Sequence, residues 1–178
     1  EDVSGKPNLL EVAARLGGSS SLFRSKGVNF ALLSAFDSFD IDVSIETNNY
    51  VLELDRALSN KYKIDIEYSS IYVDYDDCIL IHEKVNPELL SFLYKSLNQN
   101  KRIILITRHA GNLDESLKKH RISQLFDEII HLQKNESKSA YINPEKAIFI
   151  DDSYAERLDV KRTYGIPVFS LDMIEALI

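Results

Sequence analysis

Two aspartates one residue apart, Asp74 and Asp76, sit at the end of an apolar run whose full text over residues 71–80 is Ile-Tyr-Val-Asp-Tyr-Asp-Asp-Cys-Ile-Leu. A buried strand with that text delivers both carboxylates to its carboxyl end, and Asp77 sets a third acid beside them. Like charges this close repel unless a cation sits among them. Oxygen ligands of this kind suit a hard ion such as Mg2+. Taken alone, the decapeptide also fits an ordinary charged turn after a strand, so other segments must decide.

Three later segments supply the remaining parts of a phosphoryl-transfer site, in order. Residues 103–106 form a second continuous apolar strand ending in Thr107, which offers a hydroxyl and the following backbone N–H groups to an anion. Lys138, within Glu-Ser-Lys-Ser-Ala-Tyr-Ile, lies near the start of a short helix and provides a mobile positive charge. It precedes the apolar 140–142 run, which favours it over Lys134 as a site residue. Residues 147–150 form a third buried strand that ends in Asp151 and Asp152, with Glu156 beyond. Arg108 and His109 follow Thr107 and could line the mouth or cap the next helix, whereas His82, His120 and His131 have no ligand spacing and are read as surface or satisfied residues.

Residues 70–178 resemble a haloacid dehalogenase-superfamily (HAD-like) phosphohydrolase, in which Asp-x-Asp-x-Thr/Val, a strand-terminal Thr or Ser, a Lys and a strand-terminal acid pair recur in this order. The separations are 33 residues from Asp74 to Thr107, 31 to Lys138 and 13 to Asp151. Cys78 stands where the family usually has Thr or Val, a departure that bears on loop packing more than on chemistry. The resemblance implies that Asp74 is the nucleophile, forming an aspartyl-phosphate, and that Asp76 is the general acid and base. It implies that Thr107 and Lys138 hold the phosphoryl oxygens. It also implies a Mg2+ site built from Asp74, the Asp76 carbonyl, Asp151 and Asp152, with Glu156 a further candidate near the metal.

Upstream, residues 7–20 read as a strand, a glycine turn and a helix start with Ser19 or Ser20 as N-cap. This text resembles the last catalytic segment of ATP-grasp ligases, which implies that Glu11 binds the Mg2+ of ATP and Arg15 contacts phosphate. Ala13 stands where that family has Asn. The nucleotide-gripping lobes of such a ligase are not in these 178 residues, and the chain begins at Glu1 without a methionine. The expectation is therefore the carboxyl-terminal piece of an ATP-grasp fusion protein, binding ATP only in the full-length parent. The alternative is a small independent α+β module.

The elements that must position these residues follow from periodicity and punctuation. Strands are expected at 71–75, 103–107, 127–132, 146–151 and 167–169, and helices near 87–98, 112–120, 137–142, 153–164 and 171–177. Pro87 marks a helix opening, and Gly165 with Pro167 a helix stop. Strand and helix alternation calls for an α/β fold, a HAD-like Rossmannoid parallel sheet with helices on both faces and ligands at the carboxyl ends of its strands. The spacings leave no room for a cap domain. Two units are expected: an ATP-grasp-like fragment over 1–69 and a phosphatase-like domain over 70–178. In the first, a helix lies within 21–36, bounded or interrupted by Gly27. A hairpin pairs 43–45 with 50–54 around Asn48-Asn49, and 62–68 alternates like an edge strand.

A chain of 178 residues with 44% hydrophobic content can bury a proper core. The net charge of −7 argues against nonspecific nucleic-acid binding. One cysteine permits no intramolecular disulfide, so a reducing, cytoplasmic setting is expected. No window is apolar enough to span a membrane. The leading expectation is a Mg2+-dependent phosphatase of a small phosphorylated compound, its open site covered by upstream ATP-grasp lobes or another subunit. The alternatives are an accessory piece of a carboxylate–amine ligase and a scaffold that binds without turnover.

Overall fold

The computed structural model describes residues 5, 12, 14–56 and 60–178. Helices α1 (Ser20–Ser25) and α2 (Phe30–Ser38) are separated by Gly27, as the glycine break suggested. Gly27 has φ +105°, and a Cβ there would lie 2.8 Å from the Glu46 carbonyl oxygen, so no other residue fits without movement. Asn29 caps α2 by accepting from the Leu32 N–H at 3.2 Å. The hairpin is β1 (Leu52–Arg56) with β2 (Asn60–Ile64), antiparallel, pairing Leu52 with Ile64.

That register corrects the expected pairing of 43–45 with 50–54, and the edge strand proposed over 62–68 starts and ends earlier. The cause is Asn48. Its side chain is buried, donating from Nδ2 to the Val168 carbonyl at 2.6 Å and accepting the Val168 N–H at Oδ1 at 3.1 Å. The residue that looked like a turn signal serves as a side-chain strand, satisfying backbone groups at a sheet edge. Tyr50 stacks on Phe169 with ring centroids 6.0 Å apart, its hydroxyl donates to the Ser25 carbonyl, and Arg24 meets Glu175 at 2.8 Å. Residues 20–64 are thereby fastened to the carboxyl-terminal edge of the main sheet.

The main sheet begins at β3 (Ser70–Val73). A small hairpin of β4 (Leu80–Ile81) and β5 (Lys84–Val85) follows, then α3 (Pro87–Asn98), β6 (Arg102–Thr107), α4 (Leu113–Lys119), β7 (Glu128–His131) and a 3-10 turn over Lys138–Tyr141. β8 (Ala147–Ile150), α5 (Tyr154–Tyr164), β9 (Val168–Phe169) and a 3-10 segment over Leu171–Leu177 complete the chain. The five strands run parallel in the order β7-β6-β3-β8-β9. This is the expected α/β architecture with a parallel central sheet flanked by helices.

The three inner strands are apolar over 71–73, 103–106 and 147–150 because both faces are covered there. Ile71, Val73, Leu105 and Ile150 pack with Leu89 and Phe92 of α3 on one side. Tyr72, Ile104, Ile106 and Phe149 pack with Val160 of α5 on the other. α3 opens on Asn86, whose side chain accepts from Glu88 and Leu89, with Pro87 at its first position; α5 ends at Gly165 in the left-handed region. From β3 the chain leaves over one face and from β8 over the other, so a crevice opens between the carboxyl ends of these two neighbours.

Candidate active site

Asp74 and Asp151 are the first residues past β3 and β8. Backbone pairing continues through both: the Asp74 N–H donates to Ile150 at 3.0 Å and that of Asp151 to Phe169 at 3.1 Å. Two buried carboxylates are thus fixed side by side at the crevice. The buried Lys138, at the start of its 3-10 turn, sends its ammonium between them, 2.8 Å from Asp74 Oδ1 and 2.6 Å from Asp151 Oδ2. The contact to Asp151 is a hydrogen bond of good geometry, and that to Asp74 is a close ion pair less well aligned for one. Burial and then the charge of Asp74 push the Asp151 carboxyl up to about 6. Burial also raises Asp74, against the attraction of Lys138. Burial opposes the ammonium of Lys138, but the two carboxylates outweigh it and its pKa is raised.

Thr107 ends β6 beside β3, and its buried hydroxyl lies close to the Asp74 carboxylate, whose pKa it lowers against the larger effect of burial, without a hydrogen bond of good geometry to it. A buried hydroxyl left poorly paired costs free energy in the empty protein and suits an anion's oxygen when one arrives. The cleft around these residues encloses about 250 Å³, and its lining carries six carboxylates against the cations Arg108 and Lys138. Arg108 is committed elsewhere, donating to Glu156 at 2.7 and 3.3 Å and to the Glu136 carbonyl at 2.9 and 2.7 Å. Glu156 is therefore occupied by an arginine and is not free for a metal.

The two acids of the final pair differ in their contacts. Both oxygens of Asp151 are engaged, one by Lys138 and the other by the Ser153 N–H at 2.8 Å. Asp152 is exposed, and ligand atoms of Asp74, Cys78 and Asp152 lie within 4.8 Å of one another. The soft thiol of Cys78, whose pKa is pushed upward by burial, does not suit a hard cation; its sulfur accepts the Asp152 N–H at 3.1 Å. Cys78 thus holds the 151–152 turn in place. The oxygens of Asp74 and Asp152 are of a type that suits a hard cation such as Mg2+.

Asp76 stands at the mouth with its side chain 48% exposed, and His109 Nδ1 lies 2.9 and 3.0 Å from its two oxygens. His109 packs edge-on against Tyr75 at 5.2 Å, and its carbonyl bonds to His131 Nε2 at 2.8 Å. The sequence left His109 either lining the mouth or capping the next helix and did not tie it to Asp76; its position directly after the Thr107-Arg108 pair was the available signal. Asp74, Asp76, Thr107, Lys138, Asp151 and Asp152 all line the one cleft. Glu11 lies outside the described residues, and Arg15 is exposed.

No family model matches the chain, and no curated protein does so significantly. Solved structures similar to it include a HAD-superfamily hydrolase from Ehrlichia chaffeensis, 10% identical over 58% of this chain and 92% of that one, TM-score 0.47. An uncharacterized protein from Corynebacterium glutamicum is 13% identical over 57% of this chain and 83% of that one, TM-score 0.42. The phosphatase-containing N-terminal part of a Bacteroides fragilis protein, complexed with Mg, is 14% identical over 63% of this chain and 38% of that one, TM-score 0.44. Likeness at this level carries no functional argument, so function has to be argued from the cleft itself.

Proposed function

We propose that the chain is a Mg2+-dependent phosphohydrolase that cleaves a phosphate monoester through an aspartyl-phosphate on Asp74. The observation that carries this reading is the Asp74–Lys138–Asp151 cluster, buried at adjacent strand ends with the buried hydroxyl of Thr107 beside Asp74. Asp74 supplies an in-line oxygen nucleophile, and attack on phosphorus releases the alcohol, whose oxygen takes a proton from Asp76. Water then attacks the same phosphorus while Asp76 takes its proton, freeing Asp74 and inorganic phosphate. Lys138 and Thr107 hold the equatorial oxygens, the first by charge and the second by hydrogen bonding. Asp151 anchors Lys138, and His109 orients Asp76. Asp74 and Asp152 are the side chains that would hold Mg2+, which supplies charge neutralisation at the phosphoryl oxygens when bound.

The resemblance to an ATP-grasp ligase implies ATP chemistry for Glu11 and Arg15 only in a longer parent, and no described contact favours it here. The direct test is release of inorganic phosphate from p-nitrophenyl phosphate with Mg2+, with EDTA, and with Asp74→Asn. Turnover abolished by either change is the expected result. Turnover that survives Asp74→Asn would refute the nucleophile.

A further inference from the structure

α2 buries none of its residues, although its text is Phe-Ala-Leu-Leu-Ser-Ala-Phe-Asp-Ser. An isolated nine-residue helix is marginal in water, and an apolar one left uncovered is unusual unless its face has a use. That face looks onto a groove of about 630 Å³, walled by Leu33 and Phe36 of α2 on one side and by Val43 and Ile45 on the other. The far wall is pinned by Tyr154 at the start of α5, whose hydroxyl donates to the Ser44 carbonyl at 3.0 Å. Asp152 lines both this groove and the catalytic cleft, so the two adjoin at that residue. A volume of this size is typical of small-molecule sites.

The polar lining fixes the kind of ligand. Asp42, Glu46, Asp152 and Asp172 face the groove with a single cation, Arg157, whose Nη1 is spent on the carbonyls of Asp151 and Asp152 at 2.6 Å. Asp42 has no salt-bridge partner among the described residues. Glu46 is paired with Arg162 at 3.4 Å and Asp172 accepts from Asn29 at 3.1 Å, so the free charge on the rim is that of Asp42. An apolar trough with such a rim, beside a phosphate-cleaving centre, suits a molecule with phosphate at one end, hydrocarbon in the middle and positive charge at the other. We infer that this groove holds the leaving alcohol of the substrate, an elongated apolar body that carries a protonated amine. The assignment rests on the phosphohydrolase reading and supplies the substrate class that an open cleft alone leaves undefined. Residues 30–46 thereby do for this site what a covering domain would do. Adjacency to the cleft at Asp152 favours substrate over another protein segment as the occupant.

The test compares kcat/KM of the full chain with Mg2+ on ethyl phosphate, octyl phosphate and 8-aminooctyl phosphate, whose phosphoester chemistry is alike. Burying a methylene is worth about two- to fourfold, so octyl over ethyl is expected to gain at least about tenfold even when only part of the chain is covered. The amine is expected to add about threefold more, the scale of a solvent-exposed ion pair. Leu33→Gln should remove the octyl gain and Asp42→Asn only the amine gain, while both variants keep wild-type turnover of ethyl phosphate. Equal kcat/KM for ethyl and octyl esters, or gains that survive both substitutions, would overturn the assignment and point to a protein segment or second copy on α2. An octyl gain without an amine gain would overturn its cationic half. Absence of turnover on ethyl phosphate and p-nitrophenyl phosphate alike would instead overturn the phosphohydrolase reading itself, and the groove assignment with it.

Discussion

Thr107 and Asp151 each keep something uncomfortable inside the folded protein, and both costs are measurable. Thr107 Oγ1 is buried beside Asp74 without a hydrogen bond of good geometry, so Thr107→Val removes a poorly satisfied hydroxyl at nearly constant volume. Chemical denaturation should show the variant as stable as the wild type, or more stable by about 1 kcal/mol, while phosphate release falls about 10- to 100-fold. Loss of both stability and activity would mean that the hydroxyl has a structural partner. Asp151 is raised to about 6 by burial and by Asp74. A carboxyl whose folded pKa lies above its unfolded value near 4 contributes stability below about pH 4 and loses that contribution as pH rises through about 6. The stability difference between wild type and Asp151→Asn, measured without Mg2+, should therefore shift against the wild type across that window. A flat difference would show that Lys138 cancels the burial cost. Asp74, Asp76, Thr107 and Lys138 were legible because each follows a distinctive strand or precedes an apolar run. The hold of His109 on Asp76 was not, since it depends on how the turn after β6 folds back.

The inner strands β3, β6 and β8 were legible as continuous apolar runs, because a parallel sheet covered on both faces tolerates little else. The hairpin of β4 and β5 was not, since two-residue strands leave no periodicity to read. Asn48-Asn49 was misread because a turn signal and a buried amide that pairs with a strand edge use the same residue. That pairing predicts a large effect at the element scale: Asn48→Ala strands the Val168 N–H and carbonyl at once. Urea unfolding should show a loss of about 2–4 kcal/mol. A loss under 1 kcal/mol would mean that water replaces the amide and that residues 20–64 are only loosely attached to the sheet.

The molecule carries a net charge of −7 and gathers six carboxylates at one cleft, yet it is proposed to bind an anion. Only a cation reconciles the two, so chelation should abolish activity at any substrate concentration, and activity should return on adding Mg2+. No described helix is long and apolar enough to cross a membrane. Among the described residues, α2 has an apolar text and buries none of it, and sequence could not show this, because its periodicity reads as a helix without saying what covers it.

The central claim is that phosphate passes through Asp74. Asp76→Asn keeps the nucleophile but lacks the base for the second step, so with Mg2+ and p-nitrophenyl phosphate it should accumulate the phosphoenzyme. Mass spectrometry of its peptides should then find one phosphoryl group, on the peptide that carries Asp74. A phosphoryl group on any other residue, or steady turnover with no phosphorylated peptide at any time, would contradict the account.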